Sequence, residues 1–283
     1  MNEQVSAVHG RPRPDTTACH ERAVHRVIAA MRERLDEELS LHEMAGVAIM
    51  SPFHFNRTFH HVIGMPPGRF LSALRLERAR RLLLTTEERV TDVCFEVGYN
   101  SLGTFTRRFT EVLGVSPKRM RSFVASVEVP AVPSIRSVRP AAAGGGLPVH
   151  GVVEAPADFS GPVFVGLFRS AVPQGVPAAC RVLAGPGPFT FDAPPGLFHV
   201  YALGVKRSSD SLGLLMFDDA LRAAGGTVTV SPEAPPAAIQ LKLRARADFD
   251  PPILLTLPLL LARRGAAAAA ARRRRPQMPE AVA

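Results

Sequence analysis

Ser51-Pro-Phe-His-Phe-Asn-Arg-Thr-Phe-His-His-Val-Ile-Gly64 and Ser101-Leu-Gly-Thr-Phe-Thr-Arg-Arg-Phe-Thr-Glu-Val-Leu-Gly114 decide the reading of this chain, because they are one element written twice. Ser51, Phe55, Arg57, Phe59 and Gly64 recur fifty residues later as Ser101, Phe105, Arg107, Phe109 and Gly114. Outside the two stretches, Val47 and Val97, Pro67 and Pro117, and Arg69 and Arg119 keep the same offset. A repeated period implies a repeated supersecondary unit.

Each unit reads as helix, tight turn, helix. In the first, Ser40 and Glu43 form a capping box ahead of Leu41, Met44, Ala45 and Val47. Ser51 is a good N-cap, and Pro52 suits the first helical position. Phe55, Phe59 and Val62 then fall on one apolar face, and Gly64 ends the helix. In the second, Val90, Val93, Cys94 and Val97 mark the first helix and Gly98 the break. Ser101 caps the next helix, with Phe105, Phe109 and Val112 inward and Gly114 as its stop. Between the units, Pro67 to Thr85 reads as a longer helix with Phe70, Leu71, Leu74, Leu82 and Leu83 inward. A short basic helix from Lys118 to about Val124 follows Ser116-Pro117.

Opposite the core faces stand Phe53, Asn56, Arg57 and His60 in the first unit. In the second stand Gly103, Thr106, Arg107 and Thr110, with Leu102 and Thr104 near the helix start. Most polar helix faces are simply solvated. Here both faces follow a helix N-terminus able to bind phosphate, and both keep Arg in one register. Asn can pair bidentately with adenine and Arg with guanine, while a Thr methyl can meet a thymine methyl. Phe53, a large aromatic on an outward face, gains a use as an apolar contact to a base or sugar edge.

The stretch Val90-Thr-Asp-Val-Cys-Phe-Glu-Val-Gly-Tyr-Asn-Ser, with Phe105-Thr-Arg-Arg-Phe and Gly114-Val-Ser-Pro, closely resembles the AraC/XylS family of bacterial regulators. So does Met50-Ser-Pro-Phe-His-Phe-Asn-Arg-Thr-Phe, with Gly64 to Pro67 and Leu76-Glu-Arg-Ala-Arg-Arg-Leu-Leu. The resemblance covers about residues 27–124. It implies seven helices, two of them recognition helices in successive major grooves held apart by the long helix. It also implies double-stranded DNA and RNA polymerase as partners in the regulation of transcription, as an activator or a repressor. On that register Phe53, Asn56 and Arg57 read bases in the first groove. Leu102, Gly103, Thr104 and Arg107 read in the second, more loosely, because Leu102 and Gly103 have no hydrogen-bonding side chain. Ser51, Arg69, Ser101, Lys118 and Arg119 are the expected phosphate contacts, which position without specifying. Because the two units differ in sequence, the expected site is asymmetric.

Charge placement agrees. Residues 1–125 hold 18 basic against 14 acidic side chains, residues 126–262 ten of each, and residues 263–283 six Arg against one Glu. A basic module beside a neutral one suits a phosphate-binding reader joined to a sensing or docking domain. Arg makes up 31 of the 34 basic residues, which a GC-rich genome alone could produce. Cys19, Cys94 and Cys180 are odd in number and far apart, so neither a disulfide framework nor a zinc site is expected. Met1 to Pro14 lacks the apolar core of a signal peptide. The longest apolar run, Ile253–Leu261, is nine residues against the roughly 20 a membrane span needs. The expected address is the cytoplasm.

The expected fold is multi-domain α plus β: an N-terminal all-α tandem helix-turn-helix domain and a C-terminal all-β sandwich-like domain. The expected boundaries are a flexible 1–20, the helical domain at 21–125, a Pro/Ala/Gly linker at 126–147, the sheet domain at 148–262, and a disordered basic tail at 263–283. Seven strands are expected: His150–Glu154, Val163–Phe168, Cys180–Leu183, Phe189–Phe191, Leu197–Leu203, Thr227–Val230 and Ile239–Leu243. The run from Gly187 to Ala202 resembles the hairpin of transthyretin-like and carboxypeptidase-regulatory-type sandwiches. Effector domains of the AraC/XylS family usually precede the DNA-binding domain and are often cupin barrels. Here the order is reversed and no cupin pattern appears, so sugar binding does not carry over. Members with the reversed order and a GyrI-like domain exist, but the strand-only pattern argues against that fold.

His199 and Tyr201, two apart on one strand, read as sheet-surface residues and not as a site. No catalytic, metal or cofactor-binding constellation is expected. Asp248–Leu261 is expected to pack on the sandwich or at an interface between protomers, and the basic tail could add nonspecific phosphate affinity. Three functions compete: a sequence-specific regulator whose sheet domain senses a ligand or partner, a DNA-directed repair-type enzyme needing an activated Cys180, and a nonspecific architectural DNA-binding protein. Effector identity, oligomeric state and the choice between activation and repression stay open.

Overall fold

The computed structural model describes residues 14–126, 146–206, 216–217, 219–233 and 238–255. Most of the expected linker and all of the expected tail lie outside them. The described residues form helices α1 (Pro14–Glu33), α2 (Leu41–Ala48), α3 (Pro52–Ile63), α4 (Pro67–Thr85), α5 (Val90–Glu96), α6 (Leu102–Leu113) and α7 (Pro117–Ser126). Seven strands follow: β1 (Leu147–Glu154), β2 (Val163–Phe168), β3 (Ala179–Leu183), β4 (Gly187–Ala193), β5 (Gly196–Gly204), β6 (Leu221–Val230) and β7 (Ile239–Lys242).

The repeat in the sequence is a repeat in space. The Ser40 hydroxyl accepts from the Glu43 N–H at 3.2 Å, and Glu43 accepts from the Ser40 N–H at 2.7 Å, closing the capping box that starts α2. Ser51 and Ser101 cap α3 and α6, and both helices end on a left-handed glycine, Gly64 at φ 83° and Gly114 at φ 77°. In each unit the two phenylalanines are fully buried, with ring centroids 5.6 Å apart. Burying each ring contributes about 1.5–3 kcal/mol, so the four anchor both units to a common core. The units differ at the turn. Gly98 takes positive φ in the second, whereas Ile49, 86% exposed, takes it in the first, at the steric cost a β-branched residue meets there.

Helix α1 adds a layer that the repeat does not announce. Ala23, Val24, Val27, Ile28 and Met31 form a buried stripe along it. It begins at Pro14, which suits a first helical position, and so takes in residues 14–20 of the segment expected to be flexible. Helix α4 is buried on more than one face: Phe70, Leu71, Ala73, Leu74, Leu76, Ala79, Leu82, Leu83 and Leu84 are all inside.

All seven expected strands are present. The largest change is β6, which starts at Leu221 and not at Thr227, because Ala223-Ala-Gly-Gly226 carries no alternation to read. They form a three-stranded sheet, β4-β1-β7, and a four-stranded sheet, β3-β2-β5-β6. Pairing is antiparallel except between β1 and β7, which run parallel from Gly151 opposite Ile239. A Cβ on Gly151 would lie 2.2 Å from the Ile239 carbonyl oxygen, so this crossing requires glycine. Val149, Phe189 and Leu241 of the first sheet share one core with Val165, Phe198 and Val200 of the second.

The sheet half docks on the helical half. Ala171, Val172, Met216 and Leu254 join the core of the helices, and the Gly175 N–H donates to Val112 O at 2.8 Å. On α4, Arg80 is 3% exposed, and its Nη1 donates to Ile253 O at 2.8 Å and its Nη2 to Met216 O at 3.3 Å. Its guanidinium also lies 5.3 Å from the Phe217 ring centroid. One turn earlier, Glu77 pairs with Arg246 at 3.0 Å, and His25 of α1 stacks on Phe249 at 4.1 Å. Asp248 to Leu255 therefore lies between the halves, where the sequence allowed either packing on the sandwich or an interface between protomers.

The turn of the second unit depends on a close approach. A Cβ on Gly98 would meet Leu35 O at 2.5 Å and Arg75 Nη2 at 2.8 Å. Arg75 itself closes the α1–α2 loop through Leu35 O and Glu37 O. Gly98→Ala is expected to cost about 2–3 kcal/mol from backbone strain and the displaced arginine, read as a lowered denaturant midpoint.

Candidate nucleic-acid interface

The two capped helices present matching outward faces. In α3, Phe55, Thr58 and Phe59 turn inward, which leaves Phe53, Asn56, Arg57 and His60 exposed. In α6, Phe105, Phe109, Val112 and Leu113 turn inward, which leaves Leu102, Gly103, Thr104, Arg107 and Thr110 exposed, with Thr106 half-buried. All seven expected base-reading residues are thus accessible. Phe53 is 78% exposed, in contrast to fully buried Phe55 two residues on.

The electrostatics leave the central arginines available. Arg108 pairs with Glu111 at 3.5 Å and Arg78 with Glu96 at 3.1 Å. Arg57 and Arg107 make no ion pair or side-chain hydrogen bond with another described residue. An exposed, unpaired guanidinium keeps its whole donor fork for an incoming acceptor. Leu102, Gly103, Thr106, Arg107, Thr110 and Glu111 line an open hollow along α6. A Cβ on Gly103 would touch nothing closer than Ser101 Oγ at 3.8 Å, so the backbone there is open to close approach.

Of the expected phosphate contacts, Ser51, Arg69, Ser101, Lys118 and Arg119 are all exposed. Ser51 Oγ accepts from the His54 N–H and Ser101 Oγ from the Thr104 N–H, both at 3.4 Å. The earlier N–H groups, that of Phe53 in α3, where Pro52 has none, and those of Leu102 and Gly103 in α6, have no intrahelical partner and are free for an anion. Arg69 and Arg119 stand at equivalent places, two residues into the helices that begin at Pro67 and Pro117.

Two features escaped sequence reasoning. Ile49 stands exposed just before α3. Glu77 and Arg80 enter the sequence reading only as part of the stretch Leu76 to Leu83, although charges among so many leucines are the signal that a helix meets a second partner.

His199 is half-buried, with its pKa lowered by desolvation. The Tyr201 hydroxyl donates to Ala171 O, and burial pushes its pKa up to about 12. The two residues stand opposite Phe168 and Gly166 of β2, with a β-bulge between them on the β6 side. Cys180 is buried in the sheet half and Cys94 in the helical half. Among the described residues no cluster of metal-ligating side chains occurs, and no helix is long and apolar enough to cross a membrane.

Residues 44–122 match the family of helix-turn-helix domains described as "Helix-turn-helix domain". An HTH-type transcriptional regulator of Bacillus subtilis, YbfP, uncharacterized by its own description, is 30% identical over 105 residues, 37% of this chain and 36% of the relative. The HTH-type transcriptional activator AarP of Providencia stuartii is 29% identical over 98 residues, 35% of this chain and 73% of AarP. Among solved structures, the DNA-binding domain of AdpA, in complex with a target DNA, is 31% identical with a TM-score of 0.35, covering 36% of this chain and 94% of that one. A regulator from Chromobacterium violaceum with an AraC-type DNA-binding domain is 24% identical with a TM-score of 0.36, covering 38% of this chain and 96% of that one. This chain spans about a third of the length of several relatives it matches. Residues 44–122 are a helix-turn-helix domain of the AraC type.

The exposure of Phe53 separates a functional aromatic from a structural one. Phe53→Ser is expected to leave stability within about 0.5 kcal/mol of the parent, whereas Phe55→Ala costs about 3–5 kcal/mol. Chemical denaturation of the two variants checks both.

Proposed function

We propose that this protein is a sequence-specific DNA-binding transcriptional regulator that places α3 and α6 in successive major grooves of one asymmetric site. The observation that carries this reading is the pair of matched outward faces, each behind a serine cap and each centred on an unpaired arginine, Arg57 and Arg107. Phe53, Asn56 and Arg57 read bases in one groove. Leu102, Gly103, Thr104 and Arg107 read in the next. Ser51, Arg69, Ser101, Lys118 and Arg119 hold the phosphates. The protein acts in the cytoplasm with RNA polymerase as its protein partner, and AarP, named an activator, favours activation.

The sheet half is then a sensing domain, its two sheets forming the layers of a sandwich whose 250–255 segment rests on α4. The repair-type alternative needs an accessible, activated Cys180. That residue is 1% exposed and packed in a cluster with Phe164 and Phe168, which removes the observation that would favour it.

Selection from a random duplex pool at physiological salt tests the reading. An asymmetric motif of two blocks about one helical turn apart is expected. Arg57→Ala should relax one block and Arg107→Ala the other, each at a cost of about 1–3 kcal/mol. Lys118→Ala should weaken all sequences alike and reduce the salt slope by about 0.9. Binding without any enriched motif would favour an architectural role instead.

A further inference from the structure

Between the 250–255 segment and strands β5 and β6 lies a cavity of about 50 Å³, with Tyr201, Leu203, Arg222, Ala223, Ile253 and Leu255 among its walls. Arg222 is 6% exposed, and its Nε is buried with no hydrogen-bond partner. Its Nη1 and Nη2 reach Pro251 O and Phe217 O only at 3.5 Å, the outer limit of a hydrogen bond. Of the two nearby carboxylates, Glu77 pairs with Arg246 at 3.0 Å, and Asp250 is already taken. It accepts from Arg244 at 2.8 and 2.6 Å and from the Ala247 N–H at 2.8 Å. Arg222 is therefore a desolvated cation whose donors are left over, an arrangement that is costly unless something completes it. Burial, and then the nearby Arg246, lower its pKa to about 10, so the guanidinium stays charged at neutral pH.

We propose that this cavity binds a small monocarboxylate, with the carboxylate on the Arg222 fork and a methyl or ethyl tail against Leu203, Ile253 and Leu255. A planar carboxylate is the acceptor that matches a guanidinium edge. The cavity holds about three or four water-sized groups, which suits an acetate- to propionate-sized ligand and excludes sugars. The walls are mainly apolar, which disfavours dicarboxylates and polyols. The proposal rests on reading the sheet half as a sensing domain and gives that domain a route to the helices. The backbone carbonyls of Ile253 and Leu255, whose residues wall the cavity, both accept from Arg80 on α4.

Calorimetric titration of the full chain with sodium propionate, against sodium chloride at matched ionic strength, tests the site. Saturable one-site binding is expected, with propylammonium giving none. Arg222→Met should weaken propionate about tenfold or more. Ala224→Leu, at an exposed position of the cavity lining on the same face of β6 as Arg222, fills the cavity mouth, should do the same and serves alone if the arginine variant fails to fold. Absence of saturable propionate or acetate binding, or equal binding by a folded Ala224→Leu variant, would overturn the proposal. The sensing role is read separately, from DNA affinity with and without propionate: binding that leaves DNA affinity unchanged upholds the site and overturns the sensing role.

Discussion

Helix α4 is the constraint on which the rest depends. It joins the two units, carries apolar side chains on nearly every side and receives the sheet half through buried Arg80. Nineteen residues at 1.5 Å per residue give a rod of about 28 Å, so the separation of α3 and α6 is set by one stiff element and not by a loop. Arg80 makes the seam directional as well as tight. A buried guanidinium needs acceptors in fixed places, and the carbonyls of Ile253 and Met216 supply them. Sliding the sheet half along α4 would strip that charge of its partners, so the halves have one low-energy fit.

Much of the helical half was legible because its signals are local. A capping box, a serine before a proline, and glycines after apolar stripes each fix a boundary within a few residues. The fifty-residue offset then repeated the serine caps, the paired phenylalanines and the terminal glycines in a second copy. The outward faces followed from the inward ones: once Phe55 and Phe59 point to the core, Phe53 and Arg57 cannot. The seven strands were legible in the same way, from alternation between Gly/Pro turns.

What stayed hidden depends on contacts between residues far apart in the chain. The α1 stripe is ordinary amphipathic sequence with no copy to draw attention to it. Arg80 looks like one more surface arginine until Ile253, 173 positions later, is found above it. The start of β6 at Leu221 is set by pairing with β5, not by its own Ala and Gly residues. The cavity could not be foreseen at all, since the carboxylates near Arg222 are engaged by other arginines, Asp250 by Arg244 and Glu77 by Arg246.

The central claim is that both helices read one duplex as a rigid pair, and the spacing of the two DNA blocks tests it most directly. Affinity would be compared between the selected site and a copy with about 5 base pairs, half a helical turn, inserted between its blocks. A rigid α4 predicts that the insertion abolishes the contribution of one block, leaving affinity no better than that of a duplex carrying the other block alone. Equal affinity for the two spacings would contradict the account, since it would require the units to turn independently of each other.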